Sequence, residues 1–157
     1  MRIEISRQES SDLCRQYGIP VPAFHHVQNR IEARQLMHDD PRPYVLKNPI
    51  CSPFSPIHAI ICESSEDTLG WIEQVDYAEG LFLQEYLGKE EAGHFVFISG
   101  GEISSLVTNQ EYKRAFTGDM GPLAGAPLAG IVEQDPDDKY GLARELIHPL
   151  QPWFEKT

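Results

Sequence analysis

The chain has 157 residues, a formal charge of −11 and a hydrophobic content of 41%, enough apolar material for one globular core or two small lobes sharing one. Such an acidic surface repels DNA, RNA and anionic lipid, and no apolar run nears the ~20 residues that cross a bilayer. Cys14, Cys51 and Cys62 form no Cys-x-x-Cys pair, which argues against a disulfide framework or structural zinc and, with a polar start at Met1 unlike a signal peptide, for a reduced cytoplasmic setting.

Ser10 or Ser11 is expected to cap a first helix with Leu13, Cys14 and Tyr17 on its apolar side, ended by Gly18, Pro20 and Pro22. Ala23 to Val27 reads as a short strand. Asn29 followed by Glu32 is a capping-box-like start for a helix to about Met37. After a turn at Asp39 to Pro43, Tyr44 to Lys47 and the isoleucine-rich His58 to Cys62 read as strands, separated by the proline-rich loop Asn48 to Pro56. Ser64 or Ser65 caps a helix through Val75 with Leu69, Ile72 and Val75 on one side. Leu81 to Leu87 is the next strand. Gly93 to Ser99 alternates with Phe95 and Phe97 on an expected core face, and Gly100-Gly101 turns the chain into a strand from Ile103 to Val107. Asn109 to Ile131 reads as irregular. Asp135 to Asp138 opens a helix that runs to about His148, where Pro149 and Pro152 break it. The order predicts an α+β fold: a small mixed β-sheet with helices on one face, followed by the start of a second, antiparallel sheet.

The most informative stretch is Leu83-Gln84-Glu85-Tyr86-Leu87-Gly88-Lys89-Glu90-Glu91-Ala92. An apolar strand ends in a carboxylate, crosses a Gly-Lys turn and meets two further acids. Backbone groups of Glu85, Tyr86 and Leu87 suit the edge of an adenine, the Gln84 amide oxygen can accept from its amino group, and Glu91 suits the ribose hydroxyls. A plain strand end with a solvated turn carboxylate fits the same residues. This stretch resembles the nucleotide hinge of the ATP-grasp ligases, most closely phosphoribosylamine–glycine ligase (glycinamide ribonucleotide synthetase). The similarity runs from about Ser11 to the C-terminus. Gln16-Tyr17-Gly18-Ile19-Pro20-Val21-Pro22 looks like the family's approach to its ATP-binding lobe, and Tyr44-Val45-Leu46-Lys47 like the strand whose lysine touches ATP phosphates. Thr108-Asn109-Gln110-Glu111-Tyr112-Lys113-Arg114 resembles the family's Ser-Gln-Asp-His-Lys-Arg, and Asp119-Met120-Gly121-Pro122 its Asp-Thr-Gly-Pro turn.

The resemblance implies an ATP-grasp-like unit over 1–157, with a small ATP-binding lobe at about 19–87 and a partial second lobe at about 88–157. Lys47, Gln84, Glu85, Tyr86, Leu87 and Glu91 are its implied nucleotide contacts, and Lys113, Arg114 and Asp119 its implied phosphate or substrate contacts. If active, such a protein is an ATP-dependent carboxylate–amine ligase of purine synthesis working with ATP and magnesium. Three departures count against activity of this chain alone. Where the family has a Gly-Lys-Gly phosphate loop, Asn48 to Pro56 has three prolines and neither glycine nor lysine, and each proline removes an amide donor. Where the family has Asn-Thr-Gly-Gly-Met-Gly, this chain has Leu123-Ala124-Gly125-Ala126-Pro127-Leu128. The family's magnesium ligands come from strands beyond Thr157, so magnesium is expected only if another segment, a second chain or a homo-oligomer supplies them. Expected ATP binding is therefore weak, with no catalytic acid or base. A non-catalytic interaction module with little or no nucleotide binding is the alternative.

The remaining polar clusters read as structural. Glu133, Asp135, Asp137 and Asp138 lack the spacing of an EF-hand and suit a helix N-terminus. His25 and His26 point to opposite faces of a strand. Cys51 has no adjacent cation to activate it.

Overall fold

In the computed structural model the described residues are 5–51, 59–118, 120–123 and 128–156. The chain divides into two units, one of Met1–Leu13 with Val21–Gly88 and the other of Cys14–Pro20 with Lys89–Thr157. Among the described residues no helix is long and apolar enough to cross a membrane.

The first unit contains the start of α1 (Arg7–Gln16), then β1 (Phe24–Val27), α2 (Arg30–Asp39), β2 (Tyr44–Lys47), β3 (Ile60–Ile61), α3 (Ser65–Ile72) and β4 (Leu81–Glu85). Its sheet has the order β1-β4-β2-β3, and every pairing is antiparallel, so the expected mixed sheet is corrected to an antiparallel one. The class remains α+β. Alternation along the strands sorts the sheet into two faces. Val27, Tyr44, Leu46, Leu81 and Leu83 join Ala33 and Met37 of α2 and Ile72 of α3 in one buried core. The opposite face carries Phe24, Val45, Lys47, Phe82 and Gln84, as the register Phe24↔Gln84, Val45↔Gln84 and Lys47↔Phe82 requires. Phe24 and Phe82 stack there, ring centroids 4.8 Å apart.

The caps explain where these helices begin. Asn29 accepts from the Ile31 and Glu32 amides, and Glu32 reaches back to the Gln28 amide at 2.8 Å, one residue earlier than in a standard capping box. Ser64 caps α3 through the Asp67 amide. The α1 cap is Ser6, whose hydroxyl accepts from the Glu9 amide, not Ser10 or Ser11. In α3 the inward residues are Thr68 and Ile72 while Leu69 is 44% exposed, because buried polar groups need a specific partner more than an apolar stripe needs symmetry. Thr68 is fully buried; its hydroxyl accepts from the Tyr44 amide and donates to the Ser64 carbonyl, both at 3.1 Å.

In the second unit β5 (Glu91–Ser99) and β6 (Glu102–Tyr112) form a hairpin, joined on the other side of β6 by β9 (Ala129–Gln134). Gly100 and Gly101 both have positive φ (58° and 83°), as a primed hairpin turn demands. β7 (Arg114–Phe116) and β8 (Met120–Leu123) make a separate two-stranded ribbon. The chain closes with α4 (Leu142–Leu146), a 3-10 turn (His148–Leu150) and α5 (Gln151–Phe154). Three expectations are corrected. Most of the described residues between Asn109 and Ile131 are strand, because cross-strand pairing supplies the order that composition does not. The helix expected from Asp135 starts only at Leu142. Phe95 and Phe97 are 58% and 61% exposed, and it is His94, Val96 and Ile98 that are the more buried residues of that part of β5.

Thr68→Val is expected to destabilise the protein by about 1–3 kcal/mol in urea unfolding, since it strands the buried Tyr44 amide. An unchanged midpoint would show that this hydrogen bond contributes nothing.

Candidate functional site

In the first unit, β4 is hydrogen-bonded on both edges until it ends. The Glu85 amide donates to the Ala23 carbonyl at 2.8 Å and the Tyr86 amide to the Pro43 carbonyl at 3.2 Å. The Glu85 carboxylate is held as well: it accepts from Arg42 Nη1 at 2.8 Å and from the Ala23 amide at 3.3 Å. Arg42 also pairs with Asp40 at 2.7 Å, and Asp40 accepts from the Tyr44 hydroxyl at 3.0 Å. Leu87 follows with 72% of its surface exposed, and among the described residues its amide has no partner. Gly88, at φ 121°, then turns the chain away.

Lys47 and Gln84 lie on the sheet face opposite the helices, and Lys47 Nζ donates to Gln84 Oε1 at 2.6 Å. The start of the following loop is tied to the N-terminal segment. Arg7 Nε donates to the Asn48 carbonyl at 2.8 Å, the Cys51 amide to the Ile5 carbonyl at 2.7 Å, and Ser6 bridges Ile50. Residues 52–58 of that loop lie outside the described residues.

In the second unit, Glu91 accepts a hydrogen bond from Lys113 Nζ, which also pairs with Glu111 at 3.2 Å. The Glu91 hydrogen bond, and then that of Glu111, hold the Lys113 ammonium above its ordinary range against its partial burial. The hydrogen bond from Asn109 at 2.8 Å, with that of Lys113, holds the Glu111 carboxyl below its own. A groove of about 530 Å³ runs beside this cluster, lined by Glu91, Thr108, Asn109, Gln110, Ile131 and Tyr140 among others. Arg114 is anchored to the β7–β8 ribbon, donating to the Gly121 carbonyl at 2.9 Å. Gly121 has φ 83°, and a Cβ there would stand 2.3 Å from the Phe116 ring. Asp119 lies outside the described residues, as do residues 124–127 of the run aligned with the family's substrate loop.

The fold also assembles a cluster that the residue order does not announce. His94 on β5 has a side chain only 3% exposed, and Asp135 and Asp138 after β9 are buried. One ligand-capable atom of each lies within 4.8 Å of the others. His94 Nδ1 meets Thr108 Oγ1 at 2.7 Å, and that hydroxyl donates to Asp135 Oδ2 at 2.7 Å. Asp135 also accepts from the Lys139 amide at 2.8 Å, and Asp138 from the Ala143 and Arg144 amides at 2.9 and 2.8 Å. Burial pushes both carboxyls up, but these donors together with His94 outweigh it and hold both below their ordinary range. Asp138 therefore does serve the start of α4, while Asp135 belongs to the β-sheet. The only signal in the sequence was the Asp-Pro-Asp-Asp string; His94 stands 41 residues before Asp135 and has no local mark.

No protein-family model matches this chain. It is similar to the phosphoribosylamine–glycine ligase of Streptococcus suis, 27% identical over 130 residues, covering 78% of this chain and 30% of the relative. The Brucella melitensis enzyme of the same name is 27% identical over 154 residues, covering 94% of this chain and 36% of its own length. The chain thus spans about a third of the curated relatives it matches. Among solved structures, phosphoribosylamine–glycine ligase from Thermotoga maritima superposes with a TM-score of 0.68 at 23% identity, over 98% of this chain and 40% of that one. A RimK-domain ATP-grasp protein from Sphaerobacter thermophilus gives a TM-score of 0.51 at 12% identity over 99% of this chain and 67% of its own. The fold is that of the ATP-grasp proteins, and the sequence resembles phosphoribosylamine–glycine ligases over most of its length.

The ion network at the end of β4 sets an acid limit on the first unit. The Arg42 hydrogen bond pulls the Asp40 carboxyl below its ordinary range, outweighing desolvation, and the Tyr44 hydroxyl adds to the effect. Asp40 thus stabilises the fold above the unfolded carboxyl value of about 3.9, and this contribution is lost as pH falls through the lower folded value. Arg42→Ala is expected to move the acid-unfolding midpoint, followed by far-UV circular dichroism, to higher pH. An unmoved midpoint would refute the coupling.

Proposed function

We propose that this chain is an ATP-grasp domain of the phosphoribosylamine–glycine ligase type that holds an adenine nucleotide weakly and does not carry out ligation by itself. The observation that carries this reading is the end of β4. Glu85 and Tyr86 have committed their amides to Ala23 and Pro43, and Leu87 is the first residue whose amide is open. An exposed donor fixed by a rigid strand is the element needed to read a purine edge, with the Glu85 carbonyl two residues back as the complementary acceptor.

The implied phosphate contacts support weak binding only. Lys47 is engaged by Gln84, so a phosphate must displace that hydrogen bond before it meets the ammonium. The described start of the loop after Lys47 does not offer its Cys51 amide, which is used by Ile5, and Pro49, Pro53 and Pro56 have no amide hydrogen to offer. An oxyanion cradle needs several convergent backbone donors. These residues fit a nucleoside better than a magnesium triphosphate, and no phosphoryl-transfer step is assigned to them. Positioning and charge neutralisation supply nearly all of the catalysis in such chemistry. Glu91 is the ribose ligand in this reading, although it is shared with Lys113. Lys113, Arg114 and Asp119 are the substrate-side groups. Magnesium and the remaining ligands would come from another segment or chain. A cytoplasmic setting accords with this reading.

One observation favours the alternative of an interaction module: Phe95 and Phe97 stand exposed side by side on one sheet face, and exposed aromatics of this kind commonly mark contact surfaces.

A thermal-shift titration separates the two. The melting midpoint is expected to rise with ATP, ADP and adenosine concentration, since ligand binding to the folded state must stabilise it. Leu87→Pro, which deletes the amide donor, is expected to weaken all three about tenfold, equivalent to one lost hydrogen bond of about 1.4 kcal/mol. Lys47→Ala is expected to weaken ATP and leave adenosine unchanged. No shift with any adenine ligand at millimolar concentration would overturn the nucleotide reading and leave the interaction module.

A further inference from the structure

Among the described residues β9 is an outermost strand of the second unit's sheet, paired with β6 on one edge only. All its residues are exposed, Ile131 at 62% and Val132 at 67%, although neighbours on a strand point to opposite faces. A strand that ends a sheet presents a row of unpaired amide and carbonyl groups, and such edges are usually blunted by lysine, proline or a bulge. Ala129-Gly130-Ile131-Val132-Glu133-Gln134 contains neither lysine nor proline, and its register with β6 runs without a shift.

The phase of the outward groups is fixed. The Asp135 amide donates to the Leu106 carbonyl at 2.9 Å, and this pair continues the register Val107↔Gln134. In an antiparallel ladder, opposed residues alternate between hydrogen-bonded and non-hydrogen-bonded pairs. Glu133, Ile131 and Ala129 therefore turn their backbone groups toward β6, while Gln134, Val132 and Gly130 turn theirs away. The outward residues are spaced evenly about Val132, which makes the edge self-complementary: a second β9 running the other way offers the same groups in the same order.

We propose that the outer edge of β9 is the interface of a two-fold dimer of this chain, with Val132 opposite Val132 of the second copy and Gly130 opposite its Gln134. Each of these pairs exchanges two backbone hydrogen bonds, so no outward group of the strand is left over. The three-stranded sheet is thereby doubled. On one face the two Val132 side chains meet; on the other, each Ile131 lies opposite Glu133 of the second copy. Charge favours this occupant. Glu133 is the single charged residue of β9 and is already engaged by Lys139 and the Tyr140 hydroxyl. Two copies therefore meet without bringing bare carboxylates together, and a basic partner finds no unpaired charge on the strand to select it. The inference does not depend on nucleotide binding by the first unit.

The test is sedimentation equilibrium of the full chain at concentrations up to about 1 mM, because a single strand pair is a small interface and its dimer is weak. A reversible monomer–dimer equilibrium is expected. It is expected to tighten as sodium chloride rises, since each copy carries a formal charge of −11 and salt screens their mutual repulsion. Val132→Lys and Val132→Glu each set like charges across the axis, and each is expected to weaken self-association by about tenfold or more. Mixed together, these two variants are expected to pair one to one, which requires the two positions to face each other. Phe97→Ser, on the exposed side of β5, is expected to dimerise like the parent. Amide exchange gives a second readout: the Val132 and Gln134 amides are expected to slow as protein concentration rises, while those of Ile131 and Glu133, already bonded to β6, do not change. Circular dichroism establishes folding of each variant, and exchange in the parent carries the test if one does not fold. A protein that stays monomeric, forms open-ended assemblies, or loses its dimer on Phe97→Ser but not on either Val132 change overturns the proposal. So do two charge variants that fail to pair with each other.

Discussion

The first unit depends on one strand that must satisfy two neighbours at once. β4 pairs with β1 on one edge and β2 on the other, and Leu81 and Leu83 put their side chains into the core beneath α2 and α3. This arrangement leaves no freedom in where the strand stops. Glu85 and Tyr86 are the last residues with backbone acceptors within reach, and the carboxylate of Glu85 is clamped by Arg42 and Ala23. The open amide of Leu87 is thus a consequence of sheet geometry, not of a flexible loop. A donor held in this way loses little entropy on binding.

The same accounting makes the proposed phosphate side the poorer one. Backbone amides are an anion site only while they are unclaimed. In this chain the start of the loop after Lys47, Asn48 to Cys51, is tied to Ile5, Ser6 and Arg7, and Lys47 itself is drawn to Gln84. Proline removes further donors by its chemistry alone. In the proposed reading, adenine recognition and triphosphate recognition therefore separate: the first rests on strand termination, the second on amides and a lysine that have other partners.

The second unit shows a sheet whose two faces differ in kind. One gathers His94, Thr108 and the aspartates after β9 into a buried polar cluster. The other leaves Phe95 and Phe97 exposed. A buried polar cluster fixes structure only when every member is satisfied, and here one imidazole nitrogen is not.

Much of this protein is legible from residue order. The Asn29 and Ser64 caps, strand Tyr44 to Lys47, the Gly100-Gly101 turn and the ATP-grasp resemblance are all local signals, since caps, alternation and turn glycines act over a few residues. The interior of β4 is local too, although its end at Glu85 and not Leu87 is set by where Ala23 and Pro43 lie. What tertiary structure alone decided is non-local. The strands within Asn109 to Ile131 form because β6 and β9 supply partners; Phe95 and Phe97 face outward because the polar cluster claims the other side; and His94 meets Asp135 only when β5, β6 and β9 lie edge to edge. Sequence encodes which groups each residue offers, whereas hydrogen-bond partners distant in the chain are assigned only by the packing that brings them within three ångströms or so.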